Sequence, residues 1–116
     1  MCIDYIGKWT KTEKDITAYK KVVKVYPSVY KSPLLPIERA IQSGHKSLGK
    51  QLLYADGYTT HSPKPGVFLY DGVRFIHYKK SEEQIIVVKI PKGTWIRRGK
   101  CNTIVALEVF VIKEIE

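Results

Sequence analysis

The chain has 116 residues, of which 44% are hydrophobic and 27% charged, which is the size and make-up of one self-folding domain and excludes a disordered or low-complexity polymer. Twenty Lys and Arg against eleven Asp and Glu give a formal charge of +9, a field that draws in polyanions and disfavours basic partners. Two distant cysteines, Cys2 and Cys101, exclude a disulfide scaffold and point to a reduced, cytoplasmic setting, and no apolar run approaches the ~20 residues that span a bilayer.

Residues 1–15 mix charges around Trp9 without a clean period and read as an N-terminal arm, frayed and mobile, ahead of the folded domain. The opening Met1-Cys2-Ile3-Asp4-Tyr5 has neither the basic lead nor the apolar run of a signal peptide. Residues 16–26 are rich in β-branched and aromatic side chains, and Pro27, which has no N–H to give to a ladder, closes them as the first strand. Pro36 suits a first helical position and opens a short helix through Ile37, Glu38, Arg39, Ala40 and Ile41, with Gly44 to end it. Leu52, Leu53 and Tyr54 form an apolar patch too short to separate helix from strand.

Residues 55–66 hold Asp56, Gly57, Pro63, Pro65 and Gly66 and read as a loop. Val67-Phe68-Leu69-Tyr70 and Val73-Arg74-Phe75-Ile76-His77-Tyr78 flank Asp71-Gly72, the dipeptide of a two-residue type I′ turn, and predict a β-hairpin. Ile85-Ile86-Val87-Val88-Lys89-Ile90 predicts a strand stopped by Pro91 and Gly93, and Thr94-Trp95-Ile96-Arg97-Arg98 a short strand before Gly99. Residues 103–112 are apolar on both faces, which predicts one central strand covered from both sides. Together these elements predict an α+β fold, a single domain with a mostly antiparallel, curved sheet and one or two short helices packed on it.

Glu108 is the one residue that interrupts the apolar alternation of that last segment. A lone carboxylate in a dry core is costly, so the pattern predicts either a salt bridge to a neighbouring cation or a carboxylate lining a ligand pocket. His61, with Ser62 and Tyr58, lies in the Pro/Gly loop and makes a second ligand-binding candidate beside the plainer reading of a solvated histidine. His45, His61 and His77 recur every sixteen residues, a spacing that matches no metal motif. The segment Gly44-His45-Lys46-Ser47-Leu48-Gly49-Lys50 lacks the first glycine and the spacing of a phosphate-binding loop and reads as an exposed basic loop.

Lys89, Lys92, Arg97, Arg98 and Lys100 gather around Trp95 in the densest basic and aromatic stretch. A base stacked on Trp95, with cations along the backbone, would suit nucleic acid, while the plainer reading buries Trp95 as a core plug. No catalytic motif and no cofactor-binding motif is present.

The order Ile90-Pro91-Lys92-Gly93-Thr94, a short basic and aromatic strand, then Val105-Ala106-Leu107-Glu108-Val109, preceded by Tyr30-Lys31-Ser32-Pro33, resembles small uncharacterised phage and prophage proteins. The resemblance covers about the last third of the chain and that tetrapeptide. It implies a host cytoplasm and an accessory role, and it transfers no catalytic residue. The functional expectation is a small phage-type binding protein that inhibits a host immune factor, by contact with a host protein or by capture of an anionic nucleotide signal. The alternatives are a basic nucleic-acid-binding domain and a minimal nucleotide-dependent transferase in which Glu108 orients a ribose hydroxyl.

Overall fold

Alternation along residues 16–26 gives a strand with one dry face, and the fold is assembled around it. The structure, a computed structural model, describes residues 8–56, 65–76, 79–100 and 102–115. In chain order these form β1 (Thr10–Lys11), β2 (Ile16–Tyr26), β3 (Val29–Lys31), α1 (Ile37–Ser43), β4 (Leu52–Leu53) and β5 (Val67–Tyr70). After a 3-10 turn at Val73–Phe75 come β6 (Glu83–Ile90), β7 (Trp95–Arg98), β8 (Thr103–Ala106) and β9 (Phe110–Ile115). The Cα radius of gyration is 12.9 Å, close to the ~13 Å of a compact chain this long.

β2 is the axis. Along one edge it pairs antiparallel with β6, from Ile16 opposite Ile90 to Val23 opposite Glu83, and β6 carries β9 on its far side. Along the other edge β2 forks. Tyr19 faces Tyr70 of β5, while its last turns of ladder go to β3, with Val23 opposite Lys31 and Tyr26 opposite Val29. One arm of the fork continues through β5, β8, β7 and β1, and the other through β3 to β4 in the sheet's parallel pairing. The result is a mostly stranded mixed sheet, not closed, with one short α-helix among the described residues. Two isolated bridges, His45 to Tyr54 and Ser47 to Val109, carry the segment after α1 across the gap between β4 and the start of β9.

The dry face of β2 (Ala18, Lys20, Val22) meets Ile86, Val88 and Ile90 of β6, and Tyr30, Leu53, Val67, Leu69, Ile96, Ile104, Ala106 and Val109 complete the core. Lys20 is the exception among apolar neighbours, and the fork explains it. Where β5 leaves β2, Phe68 turns its N–H and C=O toward the opening with no strand to receive them. Its N–H goes to Asp56 Oδ2 at 2.7 Å and its C=O accepts from Lys20 Nζ at 2.8 Å. Lys20 also bonds Asp56 Oδ2 at 2.8 Å, and the Ser32 hydroxyl donates to Asp56 Oδ1. A buried ion pair thus plugs the fork, with every partner hydrogen-bonded as a buried charge requires.

Three expectations need correction. The predicted hairpin at Asp71-Gly72 does not form. Gly72 is extended (φ −151°), the Asp71 N–H is tied to the Asn102 carbonyl at 3.0 Å, and the chain coils into the 3-10 turn. β5 pairs with β8 along its length and with β2 at Tyr70, next to the expected turn, so long-range pairing overrides the local turn signal, and the tight turn is found instead at Pro27-Ser28, where Ser28 takes φ +65°. Residues 77 and 78 lie outside the described residues.

The single central strand over 103–112 is two strands. β8 is buried at every residue, between β5 and β7, as a doubly covered strand should be, but the chain then breaks at residues 107–109 and β9 pairs with β6 on the other side of β2. The break also shifts the phase, because Ile104 and Ala106 enter the core before it, and Val109 and Val111 enter or flank it afterwards. The N-terminal arm is docked from Thr10 onward: β1 pairs with β7, and Thr12 exchanges backbone bonds with Thr94 and Gly93 at 3.0 and 2.9 Å. Residues 1–7 lie outside the described residues.

Candidate functional site

The break between β8 and β9 opens a cleft of about 330 Å³ lined by three segments: His45 to Leu48, Gly93 to Trp95, and Leu107 with Glu108. Each is held by backbone bonds. The first is fixed by Gly44, which caps α1 at φ +77°, a backbone state glycine adopts without a Cβ penalty. It is fixed further by Leu48 N–H to Val109 O at 2.8 Å, Val109 N–H to Lys46 O at 3.0 Å, and the buried Ser47 hydroxyl accepting the Leu53 N–H at 3.0 Å.

The second segment is a turn clamped from below by the N-terminal arm. The Thr12 hydroxyl donates to the Pro91 carbonyl at 3.0 Å and accepts the Thr94 N–H at 3.2 Å, while Asp15 takes the Lys92 N–H at 2.8 Å. Gly93 sits at φ +85°, in the left-handed region, which suits the residue after Pro91-Lys92. The third segment hangs on Leu107 N–H to Trp95 O at 3.2 Å.

Trp95 therefore projects from a rigid base, and its side chain is not a core plug. It is 45% exposed, with Lys11 Nζ 5.3 Å from the ring centroid. Lys11 is Trp95's direct cross-strand partner, so the pair shares a face of the sheet. Arg97, two residues on, shares it too, whereas Arg98 projects to the opposite face.

Glu108 lines the same cleft as Trp95, but exposed and outside any strand. Glu108 needs no buried partner, because the break takes it off the sheet and into water. Among the described residues no ion pair or hydrogen bond holds its carboxylate. Lys92 is exposed on the clamped turn, and Lys100 is exposed on the β7–β8 turn, where its carbonyl accepts the Thr103 hydroxyl at 2.7 Å. The sequence-level ligand candidates His61, Ser62 and Tyr58 lie outside the described residues. The structure adds His45, Lys46 and Lys11. The first two belong to the stretch read as an exposed basic loop, and only the pairing of that loop with Val109 brings them to Glu108.

A second polar cluster lies under β3. Tyr30, 2% exposed, donates from its hydroxyl to Glu114 Oε2 at 2.8 Å, and Lys24 Nζ pairs with the same oxygen at 2.6 Å. Burial first, then the Glu114 carboxylate, pushes the Tyr30 phenol up to about 12. Hydrogen bonding from Lys24 and then Tyr30 holds the Glu114 carboxyl below its usual range. This cluster lines neither the Trp95 cleft nor a metal-binding group among the described residues.

Among the described residues no helix is long and apolar enough to cross a membrane, and no group of three His, Cys, Asp or Glu side chains is placed to hold a metal ion. The cleft can offer the Trp95 ring to a planar group, attract an anion through Lys46 with Lys11 beside the ring, and accept a hydrogen bond at Glu108. No family model matches the chain, and neither a curated protein nor a solved structure matches it.

Proposed function

We propose that the chain is a non-catalytic binding module for single-stranded nucleic acid, with Trp95 as its stacking platform. The observation that carries this reading is the half-open Trp95 ring, held on a clamped turn, with Lys11 over it and a cleft beside it. An aromatic ring flanked by cations binds unpaired bases regardless of sequence, because every base has a π face and every nucleotide a charge. Glu108 adds an acceptor at the cleft that suits an exocyclic base amine or a ribose hydroxyl, while the +9 charge supplies the long-range attraction.

Fluorescence anisotropy with labelled 12-mers of DNA and RNA tests the proposal. Binding is expected to weaken with salt at a logarithmic slope of about −2 to −3 for three or four neutralised phosphates. Trp95→Ala is expected to lower affinity about 5- to 150-fold, the range for one stacked base. Absence of binding by the parent protein to either polymer at low salt ends this reading.

A second reading is a phage-type accessory protein that occupies a host factor, supported by apolar side chains left in water at and near α1, Leu34 at 89% and Ile41 at 60% exposure. A pull-down from host lysate, with Leu34→Ser/Ile41→Ser as the comparison, tests it. A captured protein retained equally by both forms argues against that face.

A further inference from the structure

Only four of the twenty cations are arginines, and two of them, Arg74 and Arg98, meet in one cleft although 24 positions separate them in the chain. This cleft, about 580 Å³, is distinct from the Trp95 cleft and shares no residue with it. Its floor is the beginning of β2 (Ile16, Thr17, Tyr19), and its walls are the turn after β5 (Asp71 to Arg74) and the end of the β7–β8 hairpin (Arg98, Asn102). The walls are tied together: Asp71 N–H bonds Asn102 O at 3.0 Å, and the adjacent Tyr70 and Thr103 are ladder partners. Asn102, at φ +59°, and the Gly99 N–H to Thr103 O bond at 2.9 Å shape the tight turn after Arg98. The two arginines therefore stand on backbone segments that are tied together, Arg98 at the end of β7 and Arg74 in the 3-10 turn.

We infer that this cleft is a binding site for a 5′-phosphorylated nucleotide, with the phosphate monoester held by Arg98 and drawn in by the added positive charge of Arg74. The planar fork of arginine matches phosphate oxygens two at a time, which lysine, the dominant cation of this chain, does not do. A bare phosphate would leave most of the volume empty. The remaining lining is chemically suited to a nucleoside: the Tyr19 ring offers a surface for a base, the Thr17 hydroxyl and Asn102 amide both donate and accept, and Asp71 accepts from a ribose diol or an amino group. Asp71 stands on the same turn as Arg74, so its charge weakens the hold of the cleft on phosphate alone. The same chemistry is offered by a free mononucleotide and by the 5′ end of a strand.

The test is NMR titration of backbone amides around Arg98 and Asn102 with 5′-AMP, 5′-CMP, the matching nucleosides, inorganic phosphate, and a hexanucleotide with or without a 5′-phosphate. Saturable shifts are expected with 5′-phosphorylated ligands, at least about tenfold weaker binding with nucleosides and with inorganic phosphate, and at least about tenfold loss in Arg98→Gln. Asp71→Asn is expected to raise the affinity for inorganic phosphate and narrow its gap to the nucleotides. Preference for the 5′-phosphorylated hexamer over the mononucleotides identifies a strand end as the source, and the reverse order a free nucleotide; both support the site. Trp95→Ala should leave these titrations unchanged, so the cleft and the Trp95 platform fail separately. Absence of saturable shifts with every phosphorylated ligand, or equal binding by Arg98→Gln, overturns the inference.

Discussion

Replacing Lys20 by Met removes one charge from a pair whose side chains are 7% and 6% exposed, while keeping the length and much of the volume of the chain. Asp56 then stays buried with the Ser32 hydroxyl and the Phe68 N–H but without its counter-charge, and the Phe68 carbonyl loses its donor. Breaking one side of a buried pair costs about 3–5 kcal/mol, a large share of the ~5–15 kcal/mol that holds a domain together. With an unfolding entropy of about 2 cal/mol/K per residue, that loss lowers the melting temperature of this chain by roughly 12–20 °C. Asp56→Asn should fall nearly as far. The double variant Lys20→Met/Asp56→Asn should recover a substantial part, because a neutral pair has no charge to strand. Thermal and urea unfolding followed by circular dichroism reads all three. If Lys20→Met melts within about 3 °C of the parent, or if the double variant loses the sum of the two single losses, the ion pair does not hold the fork and the account of the β2–β5 divergence is wrong.

The Tyr30 and Glu114 pair predicts how stability responds to both extremes of pH. A phenol whose folded value is raised to about 12 from an ordinary 10.0 adds stability that is complete below pH 10 and is lost as pH rises from there toward 12, about 2–3 kcal/mol in all. Tyr30→Phe should flatten that alkaline limb in urea melts. Because the Glu114 carboxyl is held low in the fold, its contribution is present above the usual carboxylate range and disappears as acid protonates it, and Glu114→Gln should weaken this acid dependence. Gly66→Ala should destabilise by about 1–3 kcal/mol in denaturant titrations, since the added Cβ would lie 2.6 Å from Cγ2 of the fully buried Val105. Trp95→Ala should change the melting temperature by no more than a few degrees, as its ring is half in water, and a large drop would reassign Trp95 to the core.

Local signals in the sequence located β2, α1 and β7 closely, because each is bounded by Pro, Gly or both and each carries a consistent pattern. β6 begins two residues before its apolar pattern does, since Glu83 and Gln84 look like loop yet pair with Val23 and Val22. The hairpin and the unbroken terminal strand are absent for one shared reason: both depend on what sits beside the segment, and sequence reports only what lies along it. A signal for Lys20 does exist, as it falls in phase with Ala18 and Val22, but the fork that gives it partners depends on residues 36 and 48 positions away. Glu108 stood out correctly as an anomaly, and the anomaly marked a break in the chain, not a buried charge. The convergence of Arg74 with Arg98, and of His45 with Trp95, had no local trace.

The pairing of Ile16 with Ile90 sets a schedule as well as a shape. A nascent chain lengthening at about 5–20 residues per second completes β2 roughly 3–13 s before the last residue of its principal partner has been made. Through that interval Ala18 and Val22 have no companion on the long edge, and only the neighbouring β3 is close enough in sequence to shelter them. Synthesis of this protein therefore includes an obligatory pause with a sticky ribbon on display, and a holding chaperone or a low rate of expression should raise the yield of folded chain.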